Sequence, residues 1–200
     1  MTLEGTMGSK AGLAVAGGAI LVFVAMLLTP MASATNFGPN SDYEGGSCCR
    51  YANNFYHELF YYDVVESTAN AADAVRNNIL DPTVINTNRT YAHDDSDVSI
   101  IDAYYDADWA GLYSCPDVSN SNDSICHHAH VQIDLSNTEG GNYDWAEKKH
   151  LMCQELGHSL GLTHDPPDNG RTTCMQNPVT LGFDHLHDHD KNHLSNRYGS

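Results

Sequence analysis

Between positions 154 and 164 the chain reads Gln154-Glu155-Leu156-Gly157-His158-Ser159-Leu160-Gly161-Leu162-Thr163-His164. Zinc takes neutral imidazole or anionic ligands in a near-tetrahedral array, and two side chains one helical turn apart can grip one ion. Gln154 and His158 have that spacing. Glu155, one residue after the first grip position, would face water at the ion, where a carboxylate can act as general base and then return the proton to a leaving amine. Gly161 permits a sharp exit from a helix, after which His164 can approach the same ion. A glutamine oxygen is a neutral and weaker ligand than imidazole. Three readings of Gln154 therefore stand open: it coordinates through its side-chain oxygen, another residue replaces it, or the site is degenerate. His150 lies two helical turns before His158, about 12 Å along a straight helix, too far to share an ion with it. It is assigned to a supporting or surface role. Asp165 is either an auxiliary ligand or a loop hydrogen-bonding group ahead of Pro166-Pro167.

These side chains need a helix beneath them. Asp144 followed by Glu147 has the spacing of a reciprocal N-terminal cap, and the spacing predicts a helix from Trp145 to about Leu160, ended by Gly161. Met152, Leu156 and Leu160 form an apolar ridge on it, while His150, Gln154 and His158 form a polar row. Ahead of that helix, His130 to Leu135 alternates, placing Val131, Ile133 and Leu135 on one face of a strand. Val98, Ile100 and Ala103 to Tyr105 suggest another strand. The segment from Tyr51 to Leu80 is read as helical, with Val64, Val65, Ala69, Ala72 and Val75 sharing a face and Asp81-Pro82 as the stop. Residues 35–47 read as an irregular arm.

With the helix and its exit in place, the stretch from 154 to 164 resembles the metzincin signature His-Glu-x-x-His-x-x-Gly-x-x-His, matched at Glu155, His158, Gly161 and His164, with Gln154 in place of the first histidine. Met175, within Thr173-Cys174-Met175-Gln176-Asn177-Pro178, resembles the Met-turn of that family. The run from Asp190 through His193-Leu194 to Arg197-Tyr198-Gly199 resembles the closing helix of matrixins. The resemblance implies an α/β (α+β) zincin fold with a twisted mixed sheet, an active-site helix, a Met-turn and a C-terminal helix. It implies a Zn2+-dependent metalloendopeptidase with Glu155 as general base, His158, His164 and Gln154 as metal ligands, and an extended peptide or protein as substrate. The alternative is a catalytically impaired protein of the same fold that acts as a secreted metal- or protein-binding module. The carboxylate at Glu155 favours hydrolysis, because a chain without catalysis has no chemical need for it.

The rest of the chain bounds the setting. An apolar stretch from Ala11 to Leu28, followed by Pro30 and Ala32-Ser33-Ala34, reads as a secretory signal over residues 1–34, leaving one domain over 35–200. A secreted, extracellular monomer is expected, with no stable membrane association after signal cleavage. The formal charge is −17; Glu4 and Lys10 cancel, so it falls on residues 35–200 and argues against nucleic acid as a partner. All six cysteines follow residue 34, where an oxidising compartment makes disulfides the default. Cys115 with Cys126 and Cys153 with Cys174 are the favoured pairs, each closure contributing ~3 kcal/mol in the chain-entropy model. Cys48 and Cys49 stay open: they pair together, cross to another chain, or supply a metal-blocking thiol. His127, His128 and His130 read as a solvated strand end, and His185, His187 and His189 as a polar loop.

Overall fold

The computed structural model describes residues 37–39, 49–117, 124–166 and 170–199. The expected signal segment, most of the 35–47 arm and Cys48 lie outside the described residues. In chain order the elements are β1 (Tyr51–Ala52), β2 (Tyr56–Tyr62), α1 (Glu66–Val75), β3 (Asn86–Thr90), β4 (Val98–Ala103), β5 (Gly111–Asp117), β6 (Ile125–Cys126), β7 (His128–Asp134), α2 (Leu135–Thr138), α3 (Trp145–Ser159) and α4 (Asp188–Tyr198). A π-helical turn, Arg76–Leu80, continues α1, and short 3-10 turns occur at His93–Asp95 and Val179–Leu181.

Five strands form a twisted mixed sheet in the order β3-β2-β4-β7-β5. The first four are parallel, and β5 joins β7 antiparallel at the edge. β1 and β6 make a separate parallel pair. Alternation along the strands decides which side is covered. Leu59 and Tyr61 of β2, Val98 and Ile100 of β4, and Val131 and Ile133 of β7 point into one core with Ala71, Ala72 and Val75 of α1 and Leu151, Met152 and Leu156 of α3. Each large aliphatic side chain so buried stabilises the fold by roughly 1.5–3 kcal/mol before entropy is counted. The alanines of α1 let the two helices approach closely on that side.

The helical reading of Tyr51 to Leu80 is corrected at its start. Residues 56–62 are a strand, with Tyr56 and Tyr62 exposed and His57, Leu59 and Tyr61 buried. The aromatic residues on the open face hide the period-2 pattern from a reading that scores hydrophobicity alone. Helix does follow from Glu66 to Leu80, and the chain turns at Asp81 as expected. β7 stops at Asp134, and Leu135 opens the short α2, although it is buried.

α3 begins with the reciprocal cap: the Glu147 backbone N–H donates to the Asp144 side chain, and the Asp144 N–H donates to Glu147 Oε2. Every residue of α3 from His150 to Ser159 is buried, so its polar row is enclosed rather than solvated. The disulfides Cys115–Cys126 and Cys153–Cys174 are both present; the first links β5 to β6 and the second ties α3 to the segment bearing Met175. No helix among the described residues is long and apolar enough to cross a membrane.

Candidate metal centre

The exit from α3 sets the site. Gly161 takes φ +94°, a conformation costly for any residue with a Cβ. Its N–H donates to His158 O at 3.0 Å, and the Leu162 N–H donates to Gly157 O at 3.0 Å. The chain thereby turns back along the helix and delivers His164 to His158. Phe37 and Gly38 brace this turn from outside: Phe37 bridges Leu162, and the Gly38 N–H donates to Gly161 O.

His158 Nδ1 lies 2.7 Å from Leu162 O. A carbonyl only accepts, so Nδ1 carries the proton and Nε2 is left with its lone pair. That Nε2 stands 3.2 Å from His164 Nε2, with the rings 78° apart. Two nitrogens bound to one tetrahedral zinc at about 2.0–2.1 Å would be separated by about 3.3 Å. The tautomer, the convergence and the spacing thus fit a shared zinc ion.

Gln154 lies one turn before His158 and is also buried. Its Nε2 donates toward Gln176 O at 3.4 Å and Asn177 Oδ1 at 3.3 Å. Turning the amide over would set its oxygen against two acceptor oxygens, so the network fixes the nitrogen on that side and leaves Oε1 as the atom available to a metal. Asn177 also places its Nδ2 3.2 Å from His164 Nε2. Among the described residues no three His, Cys, Asp or Glu side chains gather closely enough to hold an ion. The side chain one turn before His158 is the glutamine, Gln154.

Met175 lies beneath the helix, fully buried. A Cβ built on Gly157 would come within 2.5 Å of its sulfur, so the glycine is what lets the Met175 turn pack this close to the helix. The turn is held on several sides. Asp165 N–H donates to Met175 O, Cys174 N–H to His185 O, and Thr173 Oγ1 to Asp190 Oδ2. His150, assigned to a supporting or surface role, is buried: its Nε2 lies 2.9 Å from Gln176 O, and its Nδ1 accepts from Phe183 N–H. It positions the strip that Gln154 also touches. Asp165 is enclosed and pairs with Arg171 at 2.9 Å, which is the structural rather than the ligand role.

Glu155 is 5 % exposed, and its Oε1 would lie 2.8 Å from a Cβ on Gly111 of the edge strand β5. The missing side chain at Gly111 is therefore what admits the carboxylate beside the strand. Glu155, Gln154, His158 and His164 all line one cleft of about 520 Å3, walled by β5 on one side and by Asn177–Val179 on the other. Tyr113 of β5 lies against His158, and burial pushes its phenol up to about 12.

Cys49 is oxidised, and its sulfur lies 3.1 Å from His158 Nδ1, the side away from His164. An oxidised sulfur on that side does not act as a metal-blocking thiol. Of the other histidines, His128 is not a solvated end: Ser96 O and Ser99 Oγ engage its two nitrogens. His187 caps α4 by accepting from His189 N–H. Gln176 and Asn177 had no signal in the sequence beyond their place beside Met175. No protein-family profile and no curated protein matches this chain.

Proposed function

We propose that the protein is a secreted zinc metalloendopeptidase of the metzincin type, matrixin-like in its sequence signals, with Gln154 in the place of the first histidine ligand. The observation that carries the reading is the meeting of His158 Nε2 and His164 Nε2 at 3.2 Å in the same cleft as Glu155. A carboxylate enclosed in the same cleft as two converging imidazoles favours hydrolysis over a binding module or a structural domain.

His158, His164 and the Gln154 oxygen would hold the ion. Zinc, when bound, supplies Lewis acidity to a peptide carbonyl and to water. Glu155 accepts the proton of the attacking water and passes it to the amine nitrogen as the peptide bond breaks. Among the described residues β5 lies at the edge of the sheet, paired with β7; an extended peptide can add beside it as a further strand and lie across the cleft. Leu112, exposed on β5, and Tyr113, facing His158, would meet its side chains.

The test is casein hydrolysis by the zinc-loaded protein beside Glu155→Ala and Gln154→His. Hydrolysis by the parent, lost in Glu155→Ala with zinc retained, supports a glutamine-liganded peptidase. A silent parent that becomes active in Gln154→His would replace this reading with that of an impaired binding protein. Activity unchanged in Glu155→Ala would remove the peptidase assignment.

A further inference from the structure

The cleft does not end at the His158–His164 pair. Leu151, two turns before His158 and so about 10 Å away along α3, also lines it, together with Tyr143 and with Asp108, Trp109 and Ala110, which lead into β5. Gly111 marks where strand and helix cross: a Cβ there would lie 2.8 Å from both Leu151 Cδ1 and Glu155 Oε1. This end of the cleft therefore adjoins the Glu155 carboxylate. The segment that carries Asp108 is held on both sides. The Tyr105 and Ala107 N–H groups donate to the Asp134 carboxylate at 3.0 and 2.9 Å, and Asn137 Nδ2 donates to Ala107 O at 2.9 Å and to Trp109 O at 2.8 Å. Asp134 is itself fully buried. The Trp109 ring leans on Tyr105, with centroids 5.2 Å apart. Asp108, between these pinned residues, is exposed.

We propose that Asp108, with Trp109 and Tyr143, makes this end of the cleft a subsite for a basic side chain, so that the preferred substrates are peptides with arginine or lysine next to the bond that is cut. This specificity rests on the peptidase reading of the same cleft. The plain alternative is that Asp108 is one solvating carboxylate among 26 acidic residues. It does not account for the make-up of the lining, which among the described residues includes the carboxylates of Asp108 and Glu155 and no lysine or arginine. A carboxylate fixed beside aromatic rings suits a guanidinium or ammonium group, which meets charge on one side and a π face on the other. An acidic cleft in a molecule of net charge −17 also concentrates cationic ligands and repels acidic ones.

The test uses the zinc-loaded protein and quenched peptides alike except for arginine, leucine or glutamate on either side of the central bond. The arginine peptide should be cut with a kcat/KM about tenfold above that of the leucine peptide, and the glutamate peptide should be cut most slowly. Asp108→Asn should bring the arginine-to-leucine ratio close to one, and Asp108→Lys should favour glutamate over arginine, with far-UV circular dichroism as the check on folding. The arginine preference should also shrink in about 1 M sodium chloride, where charges are screened within about 3 Å. A parent with no preference for arginine, or a ratio unmoved in Asp108→Asn, would overturn the subsite and leave the peptidase reading standing. If the parent cuts none of the peptides, the peptidase reading fails, and fluorescence anisotropy of the labelled peptides decides the subsite. Tighter binding of the arginine peptide, lost in Asp108→Asn, would support it without turnover; equal binding of all three would overturn it as well.

Discussion

At the scale of single residues, the centre depends as much on absent side chains as on present ones. Gly157 makes room for the Met175 sulfur and Gly111 for the Glu155 carboxylate. Alanine in a helix interior is intrinsically better than glycine by about 1 kcal/mol, whereas forcing a methyl into a packed core costs typically 1–3 kcal/mol. At Gly157 the contact is with a buried sulfur that the Cys153–Cys174 disulfide helps to hold, so the steric cost wins. Gly157→Ala should be net destabilising by roughly 1 kcal/mol in urea unfolding; a more stable variant would mean that Met175 is free to move. His57 gives a pH dependence. It is buried, with Nε2 2.8 Å from Ser159 Oγ, and burial lowers it from 6.5 to about 4. The unfolded chain therefore takes up this proton more readily than the folded one. The contribution is complete above about pH 6.5 and is lost as pH falls from there through about 4, amounting to roughly 3 kcal/mol. Unfolding of the parent and of His57→Gln at pH 7 and pH 4.5 checks this, the expected outcome being a smaller acid loss in the variant.

At the scale of elements, the two disulfides should separate stability from metal binding. Each closes a loop whose cross-link is worth ~3 kcal/mol. Only Cys153–Cys174 joins α3 to the turn that carries Met175 and leads to Asn177. Cys153→Ser/Cys174→Ser should lower both the melting temperature and zinc affinity, while Cys115→Ser/Cys126→Ser should lower the melting temperature alone. Equal loss of zinc in both would show that the centre depends on global stability only. α3 was legible in the sequence because local signals agreed: the Asp144–Glu147 cap, the Met152-Leu156-Leu160 ridge and the Gly161 exit. β2 has a helical look in the sequence because Tyr56, Phe60 and Tyr62 are aromatic residues on the open face of the sheet, so a strand with one covered side does not alternate in hydrophobicity. β5 carries no strand signal in the sequence because it begins with Gly111, whose bareness answers to Glu155 in another element, and contains Pro116, tolerable on an edge. The links among Gln154, Gln176 and Asn177 are likewise tertiary, set by how the turn folds back on α3. Residue types and spacing indicate that His158 and His164 come together; they hold no information on which way the Gln154 amide faces.

At the scale of the whole molecule, the charge of −17 arises from 26 acidic against nine basic side chains, and it repels itself in the folded state. Screening shortens from about 10 Å at 0.1 M salt to about 3 Å at 1 M. The melting temperature should therefore rise between those concentrations of sodium chloride; a fall would mean that the ion pairs, such as Lys148–Glu139 and Lys149–Asp184, outweigh the net repulsion. The proposed function requires that the sheet, α3 and the Met175 turn hold His158 Nε2 and His164 Nε2 together, as they do at 3.2 Å, in the cleft that Glu155 lines. The measurement closest to that claim is zinc-edge anomalous diffraction from crystals grown with zinc. A peak is expected within bonding distance of His158 Nε2, His164 Nε2 and Gln154 Oε1, in the cleft lined by Glu155. Zinc-saturated crystals with no peak between His158 and His164 would contradict it.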